Sequence, residues 1–281
     1  MAGLNTTGQP NTNDYNLGRG AVYFATNDSA TGLPLEYRHL GNAPEFNINL
    51  EVETLEHQAS LTGLKTTDKE VTVSQTLGLS LSLDEINFQN LAIFMAGSNP
   101  PHTNIASVSN LEYFAITIGR WFDIYDPSTG ERVYDIGVAG DVTINRSSGA
   151  SSLNLTITTD YLLDLKMGRV FIVTTGTLVD GDDFQIDYTD SGSQQTPIDT
   201  VEALTTTSVA GALKFVSQNP TDADHQTEYQ FHSVSLKAEG DFSLIGDDFT
   251  VMQLTGKAEK NTGTAIGVSQ KTLTIRTHAD A

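Results

Sequence analysis

The sequence contains no cysteine. Disulfide frameworks, thiolate metal sites and cysteine nucleophiles are therefore excluded. Basic residues are scarce: 15 Lys and Arg stand against 35 Asp and Glu, for a formal net charge of -20. A phosphate-neutralising surface for tight nucleic-acid binding needs clustered cations, and so does adhesion to anionic membranes. Neither is expected here. No apolar run approaches the roughly 18 residues that span a bilayer. The first residues, Met-Ala-Gly-Leu-Asn, carry neither a basic n-region nor an apolar h-region, so no targeting segment is expected. The charged fraction is 18%, below the usual ~25%. Polarity comes instead from Thr, Ser, Asn and Gly, a mixture that favours strands and turns.

What is present begins with a polar stretch, 1–13, that has no periodicity and reads as an arm. Over 45–53, Phe46, Ile48, Leu50 and Val52 alternate with Asn47, Asn49, Glu51 and Glu53. Over 71–83, Val71, Val73, Leu77, Leu79, Leu81 and Leu83 alternate with Thr72, Ser74, Thr76, Ser80 and Ser82. Period-2 alternation of this length predicts two half-buried strands, each with one apolar and one polar face. At about twelve residues each they reach ~40 Å, twice an ordinary strand. The segment 59–70 between them is too long for a tight turn and reads as a projecting loop.

Ser82 with Glu85 fits a capping box, and Phe88, Leu91, Ala92 and Met95 follow at helical spacing. A helix over 82–96 is expected, stopped by Gly97 and by Pro100-Pro101. Short strands at 111–118, 121–126, 132–138, 141–145, 153–158, 169–175 and 184–189 predict a small β-sandwich. Residues 190–200 read as a linker. Strands resume at 212–217, 229–238, 248–256 and 271–277, with 201–207 either a strand or a short helix.

No motif for catalysis emerges. There is no phosphate-cradling G-x-x-x-x-G-K-[ST], no dinucleotide fingerprint and no nucleophile elbow. The six histidines are scattered, and no metal or cofactor is expected. Asp182-Asp183 and Asp247-Asp248 sit beside glycine and read as turn chemistry. Tyr113-Phe114, Trp121-Phe122 and Tyr125 read as sandwich core, a sugar-stacking platform being the alternative. Glu51 and Glu53 fit either a solvated face or the wall of a channel closed across subunits. Such closure would remove the edges that long strands expose.

Several segments carry a family resemblance. They are Asn16-Leu17-Gly18-Arg19-Gly20-Ala21-Val22-Tyr23-Phe24, then Tyr37-Arg38-His39-Leu40-Gly41-Asn42-Ala43-Pro44-Glu45-Phe46. Leu55-Glu56-His57, Asn90-Leu91-Ala92, Gly211-Ala212-Leu213-Lys214-Phe215 and Asn219-Pro220 follow in order, with Gly240-Asp241-Phe242-Ser243-Leu244-Ile245-Gly246-Asp247-Asp248. Together these resemble the major tail tube proteins of long non-contractile-tailed bacteriophages.

The resemblance implies a mainly β chain: a tail-tube-type β-sandwich or split barrel with a lumen-lining hairpin and one flanking helix. The core would be 1–101 with 200–281, including an N-terminal arm 1–15 and a C-terminal arm at about 257–281. An inserted or elaborated outer β-sandwich would fill 102–199. Six copies would form a ring, and rings would stack into the tail tube of the virion after assembly in the host cytoplasm. The implied lumen residues are Asn47, Asn49, Glu51, Glu53, Thr72, Ser74 and Thr76. The implied inter-ring loop is Leu61, Thr62, Gly63, Leu64, Lys65 and Thr66. Partners would be further copies, the tape-measure, tail-tip and tail-terminator proteins, and phage DNA in transit. The role is structural, not enzymatic. Two other readings are an Ig-like decoration or adhesion protein of the virion, and a carbohydrate-binding or hydrolytic module around Trp121.

Overall fold

A computed structural model describes residues 17–59, 63, 65–100, 105–147, 153–191, 199–218, 226–265 and 270–277. The chain is mainly β. Its strands begin with β1 (Gly20–Ala25), β2 (Arg38–His39), β3 (Glu45–Ala59) and β4 (Thr66–Leu83), and α1 (Phe88–Phe94) follows. Next come β5 (Ser107–Tyr113), β6 (Trp121–Asp123), β7 (Val142–Arg146), β8 (Leu153–Asn154), β9 (Tyr161–Asp164), β10 (Arg169–Ile172) and β11 (Phe184–Thr189). The last are β12 (Val209–Ser217), β13 (Thr227–Glu239), β14 (Met252–Ala258) and β15 (Leu273–Thr277). The chain divides into two compact units, 1–100 with 201–281, and 101–200.

The first unit is an eight-stranded antiparallel sheet in the order β2-β1-β12-β13-β14-β4-β3. β13 is shared along one edge: its Thr227–Phe231 half pairs with β15, and its Val234–Glu239 half pairs with β14. Period-2 apolar positions supply the core. Val22, Phe24, Leu79, Leu81, Leu213, Phe231, Val234, Leu236 and Leu254 are buried together with Ile93 and Phe94 of α1. Burying each such side chain contributes about 1.5–3 kcal/mol, which is what fixes the register of the sheet.

The helix is shorter and later than the capping pattern predicts. Ser82 does not cap it, because Ser82 lies in β4 between Gln253 and Glu45. Leu83 is fully buried opposite Met252. Sheet pairing and burial outweigh a cap worth about 1 kcal/mol. Asn87 takes the capping role, its side chain accepting from the Asn90 amide at 2.8 Å. Asn90 is itself fully buried and satisfied: its Nδ2 donates to the Leu40 and Glu85 carbonyls, and its Oδ1 accepts from Arg38. The Glu85 side chain accepts from the Asn42 amide instead.

The helix ends in a pair of wrapped bonds, Gly97 amide to Ala92 carbonyl and Ala96 amide to Ile93 carbonyl. The left-handed residue is Ala96, at φ 46°, not Gly97. Gly97 serves a different need: a Cβ there would lie 2.4 Å from the Glu202 carbonyl oxygen. Residues 201–206 form neither a strand nor a helix. They dock on the helix end, with Leu204 and Thr206 amides donating to Met95 and Ala96 carbonyls. A left-handed alanine costs about 1–2 kcal/mol, and glycine relieves it at some entropic cost. Ala96→Gly is therefore expected to raise Tm by about 2–4 °C in a thermal melt, from a gain of about 1 kcal/mol.

His232 is 2% exposed, with Nε2 2.7 Å from Thr274 Oγ1. Burial pushes its pKa below 6.5, and the Lys271 and Arg276 charges add to the shift. Below pH 6.5 the unfolded chain takes up the proton more readily than the folded one. Stability held by the neutral imidazole is thus present above about pH 6.5 and lost as pH falls toward the folded value. Urea unfolding at about pH 7.5 and 5.5 is expected to show a smaller acid loss for His232→Gln than for wild type.

The second unit is a small β-sandwich. A three-stranded sheet, β6-β10-β9, and a four-stranded one, β5-β11-β7-β8, share one core. Ile124, Val170 and Ile172 meet Leu111, Ile144, Phe184, Ile186 and Tyr188 there. Within it, 132–138 is not a strand; Arg132 only bridges Tyr125 across the Asp126–Gly130 turn. The pattern reading passes over β9. Its hairpin with β10 closes through Gly168 at φ 57°, where a Cβ would sit 1.7 Å from the Val133 carbonyl oxygen. The 153–158 strand shrinks to two residues.

Candidate functional site

β3 and β4 run 15 and 18 residues, longer than the alternating pattern suggested, or about 50 and 60 Å. The 59–70 loop is correspondingly shorter, since Ala59 pairs with Thr66. Gly63 lies in it with φ 76°; Leu61, Thr62 and Leu64 are outside the described residues. Lys65 is exposed beside the strand end, and Thr66 is the first residue of β4.

The base of this ribbon belongs to the sheet. Phe46 packs on Phe215 and Phe231 with ring centroids 5.6 and 6.0 Å away. β14 covers the far edge of β4 only from Leu77 to Leu83. Beyond that, among the described residues, 66–76 of β4 pairs with β3 alone, and the outer edge of β3 has no partner strand. The ribbon is therefore open on two edges. It is also open on both faces: Ile48, Leu50 and Val52 remain 41%, 65% and 49% exposed. A two-stranded ribbon alone in water is marginal, and exposed flat edges invite pairing with another chain.

One face is acidic and neutral-polar. Asn47, Asn49, Glu51 and Glu53 share it with Glu45, and Ser74, Thr76, Ser80 and Ser82 face them from β4. Ser74 Oγ donates to Glu53 Oε2 at 2.9 Å, Asn49 Nδ2 to Glu51 Oε1 at 3.1 Å and Asn47 Nδ2 to Glu45 Oε1 at 2.6 Å. No Lys or Arg lies in that row from Glu45 to Glu53 or from Ser74 to Ser82.

Thr72 departs from this row. Glu53 stands opposite Ser74, but Thr54 stands opposite Thr72, so Val73 is an unpaired bulge residue. One extra residue reverses the alternation of the strand beyond it. Thr72 thus joins the face of Leu50 and Val52, while Val71 moves to the polar side opposite Leu55. A second shift, at Asp68, follows between His57 and Gln58. His57 Nδ1 lies 2.6 Å from Asp68 Oδ1 near the ribbon tip.

Elsewhere the polar groups serve the fold. Asp182 pairs with Arg146 at 2.6 Å and accepts from the Val179 amide, and Asp183 accepts from the Ala115 amide at 2.8 Å. Among the described residues, no three His, Asp or Glu side chains are grouped to hold a metal ion. Tyr113, Phe122, Tyr125 and Phe184 form one aromatic cluster in the sandwich. Phe114 and Trp121 remain exposed, and the Arg169 guanidinium lies 4.5 Å from the Trp121 ring. No helix among the described residues is long and apolar enough to cross a membrane.

Two antiparallel β units, one extended by an amphipathic ribbon open on both faces, define the class of protein. The chain belongs to the family described as protein of unknown function UCP028589, which matches residues 15–110 and 134–270. That match takes in the whole ribbon, α1 and most of the sandwich. A search of curated proteins finds no match to the chain.

Proposed function

We propose that this chain is the repeating subunit of a bacteriophage tail tube. The observation that carries the proposal is the ribbon: a long hairpin with two unpaired edges, an uncovered apolar face and an acidic face with no Lys or Arg in its row from Glu45 to Glu53 or from Ser74 to Ser82. Pairing the free edge of β3 with the free 66–76 edge of β4 in the next copy is a head-to-tail contact. Repeated with a rotation that closes, such a contact forms a ring and pairs both open edges of the ribbon. Six copies per ring are proposed from the sequence resemblance. The acidic face then lines the lumen, where repulsion keeps the DNA polyanion from adhering. Stacked rings make the tube of the virion, and the tape-measure, tail-tip and tail-terminator proteins are its partners.

Negative-stain electron microscopy of the purified protein at low and high concentration tests this. Hollow tubes or stacked rings are expected. Particles that stay dispersed even with tail-tip initiator present would refute the proposal.

The adhesion or decoration reading draws on one observation in the sandwich. Trp121, Phe171 and Leu162 are in register across β6, β10 and β9, and Trp121 and Leu162 are exposed. A glycan array distinguishes it: saturable binding lost in Trp121→Ala supports adhesion, and none is expected of a tube wall.

A further inference from the structure

The loop between β13 and β14 carries the two most exposed large apolar side chains among the described residues, Ile245 and Phe249. Leu244 is 84% exposed, and Ile245 and Phe249 are each 96% exposed. The loop is nonetheless held in shape. Ser243 Oγ donates to the Ile245 carbonyl at 3.0 Å, and Thr250 Oγ1 donates to the Ser243 carbonyl at 3.0 Å. At its root Phe242 packs on Phe94 of α1 with the rings tilted by 44° and their centroids 5.4 Å apart. The exposed Asp247 and Asp248 stand beside Phe249. The result is an apolar knob flanked by two carboxylates. Apolar side chains gathered in one ordered, solvent-facing loop mark a contact surface.

The same unit carries a groove of matching chemistry. Phe24, Ala92, Ile93 and Val209 line it, together with Gln89 and Arg38. Glu36 also lies on the lining, exposed. Arg38 is half-buried, and its Nη1 donates to an amide oxygen, Asn90 Oδ1, at 2.7 Å. Among the described residues no carboxylate forms an ion pair with it. A half-buried guanidinium without an acid is incompletely compensated, and an incoming carboxylate improves it. Gln89, Ala92 and Ile93 share one side of α1, and Phe94 at the knob's root lies roughly 140° round the helix. Knob and groove thus sit on different flanks of one helix.

We infer that the knob of one copy seats in the groove of the next, with Ile245 and Phe249 entering and Asp247 or Asp248 reaching Arg38. The occupant is a second copy of this chain. At a net charge of -20 copies repel one another, so their contact needs a local cation facing a local acid. The contact is head-to-tail, which propagates around a ring instead of ending at a dimer. It deepens the tube reading, yet involves none of the ribbon residues.

The chain has no cysteine, which permits a direct test. Leu244→Cys, in the knob but outside its two anchors, and Gln89→Cys, both at exposed positions, are made as separate full-length chains. They are mixed and mildly oxidised. A disulfide heterodimer is expected from the mixture at about tenfold the yield of either chain alone. A Thr129→Cys chain, exposed on the other unit, replaces one partner as control. In parallel, Ile245→Ser with Phe249→Ser is expected to weaken self-association about tenfold or more by sedimentation. Heterodimer no more abundant than in the control, or unchanged association of the serine variant, overturns the inference. The two ideas fail separately. Normal tubes from the serine variant sink the knob contact and leave the tube standing; a cross-link without tubes does the reverse.

Discussion

Ile48→Thr, Leu50→Thr and Val52→Thr, combined in one chain, are expected to abolish assembly while leaving the first unit folded. Threonine is β-branched, a shape that suits an extended strand at all three positions, so the ribbon persists. The three side chains are 41%, 65% and 49% exposed, so they contribute only part of their burial energy to the isolated chain. Covering the exposed half of each is worth about 1 kcal/mol, since full burial contributes about 1.5–3 kcal/mol. Three come to about 3 kcal/mol per contact, or ~100-fold in association constant. A tube repeats that contact at every subunit, so the loss compounds. Light scattering should show no assemblies at concentrations where wild type forms them, with Tm changed by only a few degrees. Tubes of ordinary length from the triple variant would contradict this role of the apolar face.

Glu51→Lys with Glu53→Lys is expected to leave tubes intact and to make them bind duplex DNA. The two positions share a row with Glu45, and no cation stands opposite that row from Ser74 to Ser82 of β4. Losing the Ser74 to Glu53 hydrogen bond costs the ribbon little, because the pair is exposed. The electrostatic change is larger, four charge units per copy, repeated around every ring. Lysines facing DNA release counterions, and log K then falls by about 0.9 for each phosphate neutralised as log salt rises. Variant tubes should retain DNA at about 50 mM salt and release most of it by about 200 mM, while wild-type tubes retain little at either. Genome ejection should slow in the same variant. Equal retention by the two kinds of tube would remove the lumen from the acidic face.

The alternation of Phe46, Ile48, Leu50 and Val52 against Asn47, Asn49, Glu51 and Glu53 made the ribbon legible without a structure. A strand's parity is a local property. The bulge at Val73 is not, because the skipped residue is defined only by pairing with β3. Counting by twos therefore placed Thr72 with Ser74, and Val71 with Val73. The same limit explains the helix start. Ser82 and Asn87 are both good caps in isolation, and the choice is made by Met252, distant in the chain, pairing with Leu83. The strand expected over 248–256 begins only at Met252, because Asp247 to Phe249 belong to the knob. Nothing in the run Phe242-Ser243-Leu244-Ile245 tells which side chain is buried; one is packed on α1 and two face solvent. Residues 201–206 fit either period equally well because neither period governs them. They follow the end of α1.

The most direct test of assembly through the ribbon is amide hydrogen exchange, read peptide by peptide, in dispersed and assembled protein. Dispersed, the open edges of 45–59 and 66–76 should exchange within minutes at their unpaired amides. In tubes, those amides should be protected by about a hundredfold or more, as expected when both edges pair across copies. Assemblies in which these two segments exchange as fast as in the dispersed chain would show that something other than the ribbon builds the wall.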